Sequence, residues 1–382
     1  MNPADSAAHF APPAPASLAM GVIGNCAFSA LIDQRGRLVW CCLPRFDGDP
    51  VFCALLHPED GQDAGHCAFA IEIEDFARAH QWYEPNTAVL RTQLFDSQGQ
   101  GLEITDFAPR FQRRARLFRP TMLVRRVRPI NGAPRVRVTV DPHFDWGRVA
   151  PLITRGSNHV RFVGPEMTLR LSTDAPLTYL LARQPFLLTR EHHFLLGPDE
   201  TLTEGVADTA RYFEQETLAY WRKWSQRLHI PLEWQEAVIR AAITLKLSLF
   251  EDTGAIVAAM TTSIPEAPGS QRNWDYRYCW LRDAFFVVRA LNSLSEVGTM
   301  EDYVRWLFNV VLQAKGGHIQ PLYGLGLEHD LPETVLDHLS GYGDMGPVRV
   351  GNQAQEHFQH DVYGNVVLGA AQAFHDHRLM QP

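Results

Sequence analysis

Residues able to do chemistry concentrate between Gln271 and Ala284. The run Gln-Arg-Asn-Trp-Asp-Tyr-Arg-Tyr-Cys-Trp-Leu-Arg-Asp-Ala holds two tryptophans, two tyrosines, three arginines and two aspartates. An apolar stretch, Phe285-Phe-Val-Val-Arg-Ala-Leu291, follows directly and reads as a buried helix. Charge therefore stands where burial begins, and a charge taken out of water is costly unless it is paired and hydrogen-bonded. Arg282 and Asp283 fall in the first turn of that helix, where Asp283 complements the positive end of the dipole. A flat aromatic beside a guanidinium and a carboxylate suits a sugar: the ring packs on the aromatic face and vicinal hydroxyls bond to the charged pair. The alternative is an Arg–Asp pair that only locks a helix start among aromatic core residues, and spacing alone leaves both open.

Other chemistries have weaker support. Glu356-His-Phe-Gln-His-Asp361 and His375-Asp-His377 offer imidazoles and carboxylates, and His357 with His360 would share a helical face. Yet no H-E-x-x-H occurs and no cysteine accompanies them, so neither a metal nor any other cofactor is expected. Glu191-His-His193 is expected at the surface of a β segment. No phosphate-loop or G-x-S-x-G motif is present. The six cysteines contain no C-x-x-C, and Cys41 and Cys42 are vicinal, so small buried thiols are expected rather than a disulfide framework.

The segment from Gln271 to Ala284, with its flanks, resembles the signature of glycoside hydrolase family 15, shared by bacterial glucoamylase-like enzymes and one group of trehalases. Thr244-Leu-Lys-Leu, Thr253-Gly-Ala-Ile-Val-Ala-Ala and Thr261-Thr-Ser-Ile-Pro-Glu266 lead into it in the family's order. Upstream, Ile23-Gly-Asn, Asp33 with Gly36, Trp40 and Cys42-Leu-Pro-Arg-Phe-Asp47 resemble the family's N-terminal β-domain. So do Tyr83, Asn86-Thr87, Leu90 and Thr105-Asp-Phe-Ala-Pro109. The resemblance implies that Trp280, Arg282 and Asp283 hold a terminal glucose. Tyr323, Arg349, Asn352 and Asp361 fall in matching loop and helix-start segments, as further substrate-binding candidates. The implied substrate is an α-glucoside: trehalose, a maltooligosaccharide or another α-glucan.

The elements that must position these residues can be outlined. With 382 residues, 46% of them hydrophobic, the chain should form about two domains. Residues 1–20, rich in proline and alanine, read as a disordered leader without a basic or apolar signal region, and a cytoplasmic protein is expected. Residues 21–203 alternate with period two in Phe69-Ala-Ile-Glu-Ile, Arg135-Val-Arg-Val-Thr-Val140 and Thr168-Leu-Arg-Leu, with turn signals such as Asn131-Gly132, and predict a β-sandwich. Residues 204–230 predict a linker helix whose aromatic face packs between domains. Residues 231–382 predict helices at Trp234 to Phe250, Trp280 to Leu294, Glu301 to Ala314 and Val362 to Arg378, the first of them buried on most sides. The resemblance makes these the first part of an (α/α)6 barrel.

A net charge of −8 gives no basic field for nucleic acid, and no apolar run spans a membrane. Arginine-rich Arg110 to Arg128 is expected in a loop and on a solvated strand face. Arg45 and Asp47, between Pro44 and Pro50, are expected to brace a loop.

Inverting hydrolysis needs one carboxylic acid to protonate the leaving oxygen and one carboxylate to activate water. In the family both glutamates follow the segment resembling Asp361-Val-Tyr-Gly-Asn. This sequence reaches Pro382 before either, so no catalytic residue is assigned and a C-terminally truncated, incomplete barrel is expected. Its apolar faces would then need a partner chain or a second copy. The rival expectations are a non-catalytic carbohydrate-binding or assembly protein, a fragment of a decayed or misread gene, or catalysis by Glu328, Glu333 or Glu356.

Overall fold

The computed structural model describes residues 9–11, 17–57 and 67–375. Most of the expected leader, and the side chains of His375 and His377, lie outside them. Within the leader, the His9 carbonyl accepts from Asp75 N–H at 2.8 Å, and Phe10 lies 4.2 Å beneath the Arg137 guanidinium.

Two antiparallel sheets form the N-terminal part. One runs Gly21–Gly24, Ser29–Ile32, Leu38–Cys42, Phe69–Ile73, Arg135–Val140 and Phe186–Leu187, with Pro50–Phe52 added beside Leu38–Cys42. The other runs Leu152–Arg155, His159–Val163, Thr168–Thr173, His192–Pro198, Leu123–Asn131, Gly101–Phe107, Leu90–Asp96 and Phe76–Tyr83. Alternate residues of both sheets meet in one core, with Ile71, Ile73, Val136 and Val138 facing Leu102, Ile104, Leu169, Leu171 and Leu196. That is the sandwich the period-two pattern predicts, since the inner face of each strand must leave water. At Asn131-Gly132 the chain crosses from one sheet to the other, with Gly132 at φ 72°.

Two expectations fail inside this sandwich. Arg125 is fully buried rather than solvated: Nε meets Asp106 Oδ1 at 2.7 Å, and Nη1 donates to the Phe69 carbonyl of the opposite sheet at 2.7 Å. Opposite charge and two carbonyls replace its water, so an arginine-rich strand can turn one cation inward. His192 and His193 are likewise buried, not superficial. His193 Nδ1 lies 2.9 Å from Asp174 and Nε2 3.1 Å from Glu191.

Burial pushes the Asp174 carboxyl up, but hydrogen bonds from His192 and His193 outweigh it and hold the group well below the usual carboxylate range. A depressed folded pKa stabilises the fold above the unfolded value of about 3.9 and is lost as pH falls below it. Asp174→Asn should therefore flatten the drop in urea midpoint between pH 5 and pH 3. Equal drops in the two proteins would remove Asp174 as the cause.

Helices follow. α1, Leu177–Leu181, is a short turn at the sandwich edge. α2, Val206–Ser225, lays Val206, Ala210 and Phe213 on the outer face of the second sheet, and Trp221 and Trp224 on α3, Gln235–Leu247. Contrary to expectation, α3 is exposed over its N-terminal half. Only Ala242, Ile243, Lys246 and Leu247 are buried, because its neighbours lie at its C-terminal end. α4, Leu281–Ser293, α5, Val297–Gln313, and α6, Asp361–His375, pack on one another. α4 buries one stripe, Phe285, Val288 and Leu291, while Phe286 stays 57% exposed. No helix among the described residues is long and apolar enough to cross a membrane.

Buried polar contacts join the sandwich to the helices. Arg110 meets Glu251 at 2.6 Å, and Lys246 meets the same carboxylate at 3.2 Å. Trp40 Nε1 donates to the Met260 carbonyl at 2.7 Å, and Arg277 Nη1 to the Gly48 carbonyl at 2.6 Å. Arg45 holds Asp47 at 2.8 Å, as a braced loop requires, and also reaches Glu328 of the helical part at 3.1 Å.

Candidate functional site

The chain enters α4 through a two-residue strand, Cys279–Trp280, paired antiparallel with Leu322–Tyr323. Pro321 accepts from Leu281 N–H at 3.0 Å and fixes where the helix begins. Trp280 caps α4, so Arg282 and Asp283 occupy its first turn, where orphan backbone N–H groups and the positive dipole end face outward. The start of α6 lies alongside: Arg282 reaches Asp283 at 3.5 Å and Asp361, the first residue of α6, at 3.6 Å.

These three charged side chains are 44–48% exposed above an aromatic floor. The Arg282 guanidinium lies 5.6 Å from the Trp280 ring centre, and Trp280 packs on Tyr276, which packs on Trp274. Trp280 Nε1 is buried without a hydrogen-bond acceptor among the described residues. Burial raises the Asp283 carboxyl above its ordinary pKa, and the neighbouring Arg282 partly offsets this. The arrangement offers a flat apolar surface, a cation and two carboxylates at converging helix starts. It fits a neutral polyhydroxylated ring better than an anion, which two acids would repel.

The other candidates are placed differently. Antiparallel register sets Tyr323 opposite Cys279, and Leu322 opposite Trp280, so Tyr323 shares the Cys279 face and enters the core of the helical part. Its hydroxyl accepts from Gln320 N–H at 3.0 Å. Arg349 pairs with Glu333 at 2.5 Å, and its backbone bonds to Thr262 and Ser263. Asn352 is buried: Oδ1 accepts from Ala354 N–H at 3.0 Å, and Nδ2 donates to the Asp275 carbonyl at 2.9 Å. It therefore braces the loop onto the signature segment. Asn352→Ala should cost about 1–3 kcal/mol through the buried groups it orphans. A urea midpoint like that of the parent would count against this bracing role.

Sequence reasoning missed Glu333 as the partner of Arg349 and Tyr276 as part of the aromatic floor. Both stand in stretches already rich in candidates, so contact alone could single them out. His357 and His360 lie in the irregular segment before α6 and share no helical face. Glu328 is a poor proton donor: burial raises it, but backbone N–H groups and Arg45 outweigh burial and hold it below its ordinary pKa. Glu333 is occupied by Arg349, and Glu356 is exposed.

Comparison with known proteins matches the two halves of the chain separately. Residues 234–380 match the model of glycosyl hydrolases family 15, and residues 13–176 match the trehalase-like N-terminal domain. Residues 234–380 belong to glycosyl hydrolases family 15. The trehalase of Thermoplasma volcanium is 30% identical over 364 residues, covering 91% of this chain and 55% of that protein. The trehalase of Mycolicibacterium smegmatis is 31% identical over 382 residues, with the same two shares, and that of Mycobacterium tuberculosis is 29% identical, covering 89% and 53%. The chain thus spans about half the length of the curated relatives it matches. The signature segment, α4 and the start of α6 all lie within the family 15 match.

Proposed function

We propose that this chain supplies the sugar-holding part of an α-glucoside hydrolase acting on trehalose with inversion and release of glucose. The observation that carries the reading is Arg282 bridging Asp283 and Asp361 over Trp280, where two helix starts converge. Trp280 stacks against the terminal glucose, while Arg282, Asp283 and Asp361 bind its hydroxyls. Arg349 orients the loop rim through Glu333, and Asn352 and Tyr323 position the signature segment from behind. Trehalose is favoured over maltooligosaccharides because the relatives compared above are trehalases. The acid that protonates the glycosidic oxygen and the base that activates water are not assigned to residues of this chain.

The same reading takes residues 21–203 as the sandwich domain, 204–230 as the linker and 231–382 as the first part of an (α/α)6 barrel. Further helices, from the same or another polypeptide, would cover the exposed Phe286, Leu312, Val367 and Leu368. A cytoplasmic setting belongs to this proposal, supported by six cysteines none of which forms a disulfide.

The test is glucose release from trehalose and from maltose, by the protein isolated from its native source and by the 382-residue chain. Preferential trehalose hydrolysis, with the inverted anomer appearing first by NMR, is expected of the native protein. Failure to hydrolyse or bind either sugar would overturn the reading. Calorimetric trehalose binding without turnover by both samples would establish the non-catalytic alternative instead.

A further inference from the structure

Where the sandwich meets the loop that carries Arg349, the chain leaves strand Pro50–Phe52 at Cys53, makes a turn over Ala54–Leu56, and returns at Cys67 to begin the next strand. The two cysteines are buried side by side, with sulfurs 2.9 Å apart, and Cys53 N–H donates to the Cys67 carbonyl at 3.0 Å. One donor atom each from Cys53, His57 and Cys67 lie within 4.8 Å of one another. A second imidazole, His143, joins His57 in hydrogen-bonding the Cys67 sulfur.

The backbone is shaped around this cluster. Cys67 holds φ 57°, a left-handed conformation that side-chain-bearing residues rarely adopt, and Asp141 Oδ2 accepts from its N–H at 3.2 Å. Gly147 leaves room for the imidazole, since a β-carbon there would come within 2.7 Å of His57 Nε2 and 3.4 Å of Cys53 Sγ. His143 Nδ1 lies 3.4 Å from the Asp141 carbonyl, the outer support that metal-bound histidines use to fix ring orientation.

We propose that Cys53, His57 and Cys67 hold a structural zinc ion, with His143, beside the Cys67 sulfur, turning in as the fourth ligand. Two thiolates and two neutral imidazoles are the donor set that borderline Zn2+ takes in closed tetrahedral sites. A disulfide would link the two sulfurs but gives no role to the two imidazoles that converge on them. With Zn–S bonds of about 2.3 Å, the sulfurs would stand roughly 3.8 Å apart, so binding moves them apart by about an ångström. Both thiol protons leave as the ion binds. The ion would tie the two ends of the excursion between residues 53 and 67. It would also stiffen the surface on which Leu339 and Val348 pack and where Leu56 accepts from Gly341 N–H at 3.0 Å.

The experiment is metal analysis of the whole chain produced with zinc supplementation and passed over a chelating resin. About one zinc per chain is expected, and exchange with Co2+ should give thiolate-to-cobalt charge-transfer bands with tetrahedral d–d absorption. Cys53→Ser and His143→Ala should each lose most of the bound zinc, whereas Cys41→Ser should keep it. If the ligand variants are insoluble, the cobalt spectrum of the parent and of Cys41→Ser decides. Zinc-free protein with six titratable thiols, a Cys53–Cys67 disulfide in the peptide map, or full zinc in soluble ligand variants would each overturn the site.

Discussion

On the proposed function, Asp283→Ala in the protein from its native source should lower kcat/KM for trehalose by about 100-fold or more, with most of the loss in kcat. The reason is geometric. Asp283 is fixed in the first turn of α4, paired with Arg282 at 3.5 Å, and Arg282 in turn spans to Asp361 at 3.6 Å. Removing the carboxylate deletes a hydroxyl acceptor and frees the guanidinium that joins the two helix starts. A sugar misplaced by an ångström at the reacting carbon loses that much rate even where binding is little changed. Asp283 is 44% exposed, so the fold should survive, and an unchanged far-UV spectrum and urea midpoint would show that it has. Asp283→Asn keeps the shape but not the charge, and should fall between the two. A kcat/KM for Asp283→Ala equal to that of the parent would remove this site from the mechanism, whatever the chain's family.

What the sequence revealed and what it hid follow from the range of the forces involved. The sandwich was legible because burial on one face imposes period two on strands such as Arg135–Val140 and Thr168–Thr173, so Val136 and Val138 or Leu169 and Leu171 announce their own orientation. Strand order was not, because it depends on closures over long separations, such as Arg135–Val140 beside Phe69–Ile73. Arg125 and His193 were misplaced for a related reason. A charged residue on an alternating strand reads as solvated until its partner, Asp106 or Asp174, is known to share its pocket. At the candidate site, Trp280, Arg282 and Asp283 were visible as a dense local cluster, but only family resemblance tied them to Asp361, far along the chain. Tyr323 and Asn352 were grouped with them on the same ground. In a two-residue strand, register decides which way Tyr323 points, and nothing in its neighbours' sequence shows that register. The cysteine cluster was missed because its members lie between positions 53 and 143, and no short spacing motif marks them.

The largest loss of stability is expected at Arg277, only five residues from Arg282 yet placed in the opposite environment. Arg277 and Asp275 are both fully buried and make a two-pronged pair, Nε to Oδ1 at 2.9 Å and Nη2 to Oδ2 at 2.8 Å. The remaining prong donates to the Gly48 carbonyl of the sandwich at 2.6 Å, and the guanidinium lies 4.9 Å from the Trp146 ring centre. Arg277→Ala leaves the Asp275 carboxylate in a dry interior with no counter-charge, which should cost about 3–5 kcal/mol. Replacing both partners, Arg277→Met with Asp275→Leu, should recover much of that loss, because the pair's own attraction is largely offset by desolvation. If the proposed function holds, the single variant should also impair trehalose turnover: the Asp275 carbonyl anchors Asn352, and Gly48 ties the segment to the sandwich. Urea denaturation of the single and double variants reads the first effect, and kcat/KM of the protein as its native source makes it the second. A loss below 1 kcal/mol in Arg277→Ala would mean that the pair is hydrated in solution. The signature segment would then owe its position to the aromatic packing of Trp274, Tyr276 and Trp280, to the Asn352 bond and to its pairing with Leu322–Tyr323.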